Sequence, residues 1–381
     1  MSLEQTSDRR LTIAHFMPWA GIGGVEIAVL RMVAATQNDF HHIAFCLPDA
    51  NVLKAAFAEM GVPTVEYEPP TPSLRHIARF LGESRALAGK IRASNANIVH
   101  FSEIKAAEDC SLAARWARTR ILCHVRNTYP DVTWRKQAAL SLVDRFIFVS
   151  QEAKRQFGMK LPENEKCVIY DAIEIPDIDV AAIRTAMRRE LGIELDRPVV
   201  GMVARVNPQK DYFTLAAAAA EVLQQRPDTV FLVVGDNALV ELNRQHYQKL
   251  DKTLRELGIE RSFIFTGHRK DVPNLIAAMD ISILSTHREG FGLCIAESMA
   301  LEKPVVATGV GGLLEVVEHG KTGLLHDHQN SHQLAEAILL LIQDTQQSQQ
   351  LARAGLEHVR RSFSREQFVT EIAQTYREIA G

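Results

Sequence analysis

Short apolar runs alternate with longer amphipathic ones along most of this 381-residue chain, and no other feature constrains its fold so tightly. Strand signals fall at Leu11–Met17, His42–Leu47, Thr64–Tyr67, Ile98–Phe101, Ile121–Val125 and Arg145–Val149. Helical signals run from Val25, over Asn51–Met60 and over Leu74–Arg92. Apolar strands alternating with helices specify a parallel sheet covered on both faces. The pattern breaks after Tyr170. Pro176-Asp177-Ile178-Asp179 reads as a linker, and Val180–Leu191 as a connecting helix. A second series then opens at Pro198–Val203 and continues through Thr229–Val234, Phe263–Phe265, Ile281–Leu284, Pro304–Ala307 and Gly323–Leu325. It closes with helices at Ser331–Gln343, Leu351–Arg361 and Arg365–Ile379. The expected fold class is α/β: two doubly wound, Rossmann-like domains of similar size, residues 1–176 and 177–362, with ligands at the carboxyl ends of the strands in a cleft between them.

Composition narrows the function classes. Hydrophobic residues make up 46% and charged residues 23%, as in a water-soluble globular protein. A net charge of −3 lacks the cationic excess of a general nucleic-acid binder. Five cysteines without C-x-x-C spacing read as reduced, buried thiols of a cytoplasmic protein. The polar start Met1–Arg10 is unlike a signal peptide, and no apolar run approaches the roughly 18 residues of a membrane span. A basic bias between Arg75 and Lys160 suits either solvated helix faces or a peripheral contact with anionic lipid at the inner face of the membrane.

The densest chemistry lies in Glu289-Gly290-Phe291-Gly292-Leu293-Cys294-Ile295-Ala296-Glu297, between the strand Ile281–Leu284 and a helical run. Its glycines permit a tight turn, and the amides of Phe291, Gly292 and Leu293 fall at a helix N-terminus, where the dipole favours phosphate. Glu289 and Glu297 bracket that point and can accept hydrogen bonds from sugar hydroxyls. Amides for phosphate flanked by acids for hydroxyls suit a nucleotide sugar. An ordinary strand-to-helix turn with two solvated glutamates is the alternative.

Other loops add to this. Arg205 and Lys210 leave the first strand of the second series; a guanidinium fork and an ammonium suit a diphosphate, though solvated basic loops are common. Gly21-Ile22-Gly23-Gly24 follows the first strand of the chain but has Glu26 where a dinucleotide fingerprint needs glycine. Gly23 and Gly24 therefore form either a phosphate-approach loop or a plain turn. His124 ends the Ile121–Val125 strand, where an imidazole can point into the cleft or complete a core edge. His326, Asp327, His328 and His332 read as solvated, and Asp177-Ile178-Asp179 as a helix start, so no metal is expected.

Together these pieces resemble a nucleotide-sugar-dependent glycosyltransferase of the GT-B fold, family 4. The likeness is most specific in Ala278–Ser285, Glu289-Gly290-Phe291-Gly292, Glu297-Ser298-Met299-Ala300, Pro304–Thr308, Gly311-Gly312-Leu313-Leu314-Glu315 and Gly320–Leu325. The resemblance implies that Arg205 and Lys210 neutralise the donor diphosphate and that Glu297 holds the ribose. It implies that Glu289, with the Phe291–Leu293 amides, grips the transferred sugar and distal phosphate. Gly23 and Gly24 then close on the diphosphate, His124 lies near the sugar, and Arg269 falls where the base is held. It further implies retention of anomeric configuration, no cofactor or bound metal, a UDP-sugar as donor, and a glycan, lipid-linked or small-molecule acceptor on the N-terminal domain. The last helix, 363–381, is implied to cross back onto that domain. Three positions depart from the pattern. Tyr170-Asp171-Ala172-Ile173-Glu174 stands where Asn-Gly-Ile/Val-Asp is usual, Gly292 replaces a frequent proline, and Glu302 replaces a frequent glycine. A nucleotide-sugar epimerase and a non-catalytic nucleotide-sugar-binding protein are the alternatives; a Rossmann oxidoreductase is disfavoured by the missing G-x-G-x-x-G.

Overall fold

The computed structural model describes residues 10–73, 75–238 and 240–381; Leu74, where one helix was expected to begin, lies outside them. The chain divides into two compact units. One holds the residues up to Ala172 together with Arg365–Gly381, and the other holds Ile173–Ser364. The division thus falls at Ala172/Ile173 instead of after Pro176.

The first unit contains strands β1 (Thr12–Phe16), β2 (His41–Cys46), β3 (Thr64–Glu66), β4 (Ile98–Phe101), β5 (Arg120–Val125), β6 (Arg145–Phe148) and β7 (Lys166–Val168). Its first six helices are α1 (Gly24–Thr36), α2 (Asn51–Glu59), α3 (Ile77–Ala93), α4 (Ile104–Ala117), α5 (Trp134–Leu140) and α6 (Gln151–Arg155). The strands are parallel in the order β3-β2-β1-β4-β5-β6-β7. Successive side chains point to opposite faces. Ala14, Phe16, Val99, Phe101, Cys123 and Phe148 pack on one face, and Ile13, Ile98, Leu122 and Ile147 on the other. Both faces are buried, so these strands read as continuous apolar runs in the sequence. Edge strand β7 escaped that reading because its three residues are only partly buried and carry no such run.

The second unit contains α7 (Val180–Glu190), β8 (Val199–Val203), α8 (Tyr212–Gln225), β9 (Val230–Val234), α9 (Glu241–Glu256), β10 (Phe263–Phe265), α10 (Val272–Ala278), β11 (Ile281–Leu284), α11 (Leu293–Ala300), β12 (Val305–Thr308), α12 (Leu313–Val316), β13 (Leu324–His326), α13 (Ser331–Gln343) and α14 (Thr345–Ser362). Asp179 accepts the amides of Ala181 and Ala182 and so starts α7 as an N-cap. Arg188, fully buried, ties α7 down through Asp280 at 2.6 Å and the Ala278 carbonyl at 2.9 Å. The sheet order is β10-β9-β8-β11-β12-β13. The chain steps outward from β8 to β10, then resumes on the other side of β8. That reversal falls between β8 and β11, the position in such sheets at whose carboxyl edge ligands characteristically sit.

The final helix, α15 (Arg365–Ala380), belongs to the first unit. Its stripe of Phe368, Ile372, Ala373, Tyr376 and Ile379 is buried among Ile13, Val29, Met32 and Ile147. Among the described residues, no helix is long and apolar enough to cross a membrane.

Candidate functional site

The strand-order reversal of the second unit brings charged side chains from two loops together. The loop after β8 is stitched to the loop after β11 by backbone bonds from Asp211 to the Ser285 carbonyl and from His287 to the Gln209 carbonyl, each 3.0 Å. An isolated bridge pairs Lys210 with Thr286. This brings Lys210 Nζ to 2.5 Å from Glu289 Oε2, with both side chains mostly shielded. The two residues are 79 positions apart in sequence, and the fold alone joins them.

Close packing sets the shape of the Glu289 loop. The Gly312 amide donates to the Glu289 carbonyl at 3.1 Å. A Cβ on Gly311, which has φ +56°, would lie 1.9 Å from that same oxygen. Gly292 is the N-cap of α11 with φ +102°, and a Cβ there would meet Leu313 at 2.5 Å. Proline, fixed near −65°, cannot adopt that conformation, so the departure at Gly292 has a backbone cause. Helix α11 begins at Leu293, and Phe291 is buried against the Phe363 ring. Burial pushes the Cys294 thiol up to about 12; Lys210, Glu289 and Glu297 all lie within electrostatic reach of it. Lys210 and Glu289 therefore pair beside the start of α11, and Glu297 lies farther along that helix.

Arg205 leaves the same strand as Lys210, and its side chain is exposed. Arg269 follows β10, farther along the same sheet edge. Its guanidinium is already engaged by Asp271 at 2.7 and 2.6 Å and by Glu190 at 2.8 Å, which raises its pKa.

In the first unit the corresponding reversal lies between β1 and β4. Gly23 is the N-cap of α1, and its amide donates to Glu26 Oε2 at 2.8 Å. The residue that breaks the dinucleotide fingerprint thus caps the glycine turn. Glu103, just past β4, accepts a 2.8 Å bond from the Tyr129 hydroxyl. Burial raises its pKa, against the opposing pull of Tyr129 and Arg126. Neither Glu103 nor Tyr129 stood out in the sequence. The signal was an acid at the carboxyl end of a buried strand.

His124 requires a correction. Its ring does not open into a crevice at the strand end. It is fully buried on the sheet face that α15 covers, stacked on His100 at 5.6 Å, with Nδ1 3.2 Å from Arg126. Two residues on, Arg126 holds both oxygens of buried Asp171 at 2.5 and 2.7 Å. Asp171 belongs to the atypical Tyr170–Glu174 stretch, so that departure supplies the counter-charge for a buried arginine. Desolvation, then Arg126 and His100, hold the His124 pKa well below the usual histidine value.

The late histidines also separate. His332 turns to Glu221 at 2.8 Å, whereas His328 Nε2 lies 2.8 Å from Nδ1 of His287.

Comparison with known proteins gives three findings. The family model described as Glycosyl transferases group 1 matches residues 183–358, and that described as Glycosyltransferase Family 4 matches 22–175. The D-inositol 3-phosphate glycosyltransferase of Corynebacterium urealyticum is 33% identical over 196 residues, 50% of this chain and 46% of that protein. The alpha-D-kanosaminyltransferase of Streptomyces kanamyceticus is 26% identical over 67% of this chain and 65% of its own length. The chain thus spans about half to two thirds of the length of these curated relatives. Among solved structures, Anabaena HepE in complex with UDP and glucose aligns over 97% of this chain and 100% of its own, with a TM-score of 0.84 at 23% identity. Sucrose-phosphate synthase from Thermosynechococcus elongatus aligns over 97% of this chain and 99% of its own, with a TM-score of 0.78 at 20% identity.

Proposed function

The chain belongs to glycosyltransferase family 4 and has the GT-B fold, and from that premise we propose that it transfers a hexosyl group from a UDP-sugar to a glycan, lipid-linked or small-molecule acceptor with retention of anomeric configuration. The observation that carries this reading is the Lys210–Glu289 pair at the strand-order reversal, beside the N-terminus of α11. UDP and UDP-glucose are bound in the HepE structures, which makes a uridine diphosphate sugar the donor to test first.

In the proposed reaction Lys210 exchanges Glu289 for the donor diphosphate. Arg205, exposed on the same loop, adds a forked contact. The α11 N-terminus faces the distal phosphate, so the charge that develops on the leaving diphosphate meets fixed positive groups. Glu289, released from Lys210, accepts hydrogen bonds from the sugar hydroxyls, and Glu297 accepts them from the ribose. The acceptor oxygen attacks on the face from which the diphosphate leaves, and the leaving phosphate oxygen takes its proton. This route uses no side-chain base and no catalytic metal. His124, shielded from ligand, acts as a positioning residue by fixing Arg126.

Turnover of a panel of UDP-sugars, with UDP release and product anomer followed together, tests the reading. Arg205→Ala and Lys210→Ala should each lose about 2–4 kcal/mol of transition-state stabilisation, roughly 30- to 1000-fold in rate, with the fold intact. Near-normal turnover in either variant, or an inverted product, sinks the assignment.

A further inference from the structure

The second unit carries a cluster that the proposed sugar transfer does not use. Asp211, His287 and His328 leave three different strands of one sheet edge and converge there. One ligand atom from each lies within 4.8 Å of the others. His287 Nδ1 stands 2.8 Å from His328 Nε2 and 3.8 Å from Asp211 Oδ2. Ligands about 2.0–2.1 Å from a tetrahedral zinc ion stand roughly 3.3 Å apart, between those two distances. We propose that Asp211, His287 and His328 form a binding site for a divalent transition ion of the zinc class, with the fourth position open to water.

The loops hold these ligands in place. Asp211 is buried, and its Oδ2 accepts a 2.6 Å bond from the Thr214 hydroxyl, which orients the carboxylate as outer-shell partners of metal ligands do. The His287 and Asp211 amides are the two that stitch the β8 and β11 loops together. His328 sits in a turn closed by the Asn330 amide on the Asp327 carbonyl at 3.1 Å and by the Asp327 amide on Gln333 at 2.8 Å. The set therefore has a buried wall in Asp211 and an open mouth at His328, which gives an ion a way in. Two imidazoles and one carboxylate favour zinc, nickel or cobalt over magnesium or calcium. An ion held here ties the loop of Lys210 to the loop of Glu289 and to the start of α13. It lies one residue from Lys210 and two from Glu289 in sequence, and stiffens the donor loops without replacing a donor contact.

The test uses the full chain without a polyhistidine tag, stripped by chelator and dialysed. Titration with Zn²⁺ should show saturable binding of one ion per chain and a rise in the thermal midpoint. Co²⁺ should give the visible absorption of a low-coordinate nitrogen–oxygen site. His287→Ala and His328→Ala should each weaken Zn²⁺ binding by about tenfold or more and remove the thermal shift. His332→Ala, which alters a nearby exposed histidine, should leave both unchanged. The proposal is overturned if the wild-type chain shows no saturable binding, so that His287 and His328 share only a hydrogen bond. It is overturned equally if the His287→Ala, His328→Ala double variant still binds, or if His332→Ala abolishes binding. None of these readouts depends on sugar transfer, so failure here leaves the transferase reading standing.

Discussion

At the scale of single residues, a positive φ decides what a substitution does at Glu302 and at Gly311. Glu302 stands where glycine is frequent, and it adopts φ +53° at the end of α11. A non-glycine residue there pays about 1–2 kcal/mol of steric strain. Its carboxylate makes an exposed contact to Arg353 at 3.5 Å, worth little. Glu302→Gly should therefore be more stable than Glu302→Ala by about 1 kcal/mol in denaturant melts, since both lose the pair and only one keeps the strain. Equal stability would show that the turn relaxes at no cost. Gly311 is the opposite case. Alanine there must move the Glu289 carbonyl, because its Cβ would sit 1.9 Å away. We expect Gly311→Ala to fold but to bind UDP at least about tenfold more weakly, the equivalent of roughly 1.4 kcal/mol. Unchanged UDP affinity in a titration would detach the Glu289 loop from donor binding.

At the scale of elements, α15 is the piece whose place the local sequence leaves open. Its apolar stripe states that one face is buried, not against what. The structure seats it on β1, β4 and β5 with α1, and a buried polar contact lies in that interface: Tyr376 Oη lies 2.7 Å from His100 Nδ1. Both groups are fully buried. Tyr376→Phe leaves the His100 nitrogen without that partner in an apolar setting. It should cost about 1–3 kcal/mol of first-unit stability, because the desolvation penalty remains when the bond is gone. Far-UV melting of the full chain, together with protease susceptibility near Arg365, measures it. A variant as stable as wild type would mean that the contact contributes nothing to helix docking.

At the scale of the whole molecule, acid stability follows from four imidazoles on successive strands. His42, His15, His100 and His124 lie side by side on β2, β1, β4 and β5, under the helices of one face. Ring centroids are 5.1, 5.3 and 5.6 Å apart along the row. His15 Nε2 lies 2.9 Å from His42 Nδ1. Desolvation is the first cause of depression at all four. It takes His42 to about 4 and His100 to about 3, and holds His15 and His124 well below normal. The unfolded chain protonates these rings near pH 6.5 and the folded chain does not. Below that pH the unfolded state binds more protons, so stability is full above about 6.5 and falls as pH drops toward 4. Each ring contributes about 1.4 kcal/mol per pH unit in that window. Denaturant midpoints between pH 7.5 and 5 should fall steeply, and His100→Gln with His42→Gln should flatten the slope. A flat wild-type profile would show that the row titrates normally.

Sequence by itself determined the two parallel sheets, because strands buried on both faces must read as apolar runs, and it placed the glycine loops at strand ends. That Arg205, Lys210 and Glu289 lie in loops at the carboxyl edge of one sheet and Glu297 in the helix that follows was legible too, because strand-to-helix joins are few and charges there stand out. Pairings between distant segments were not legible. Lys210 meets Glu289, His328 meets His287, and Arg126 meets Asp171 only because strand order brings their loops together, and local periodicity carries no strand order. His124 shows the same limit from the other side. A histidine at a strand end looks open in one dimension, but the side to which its ring points depends on the pleat, and whether that side is covered depended on α15, more than 200 residues away.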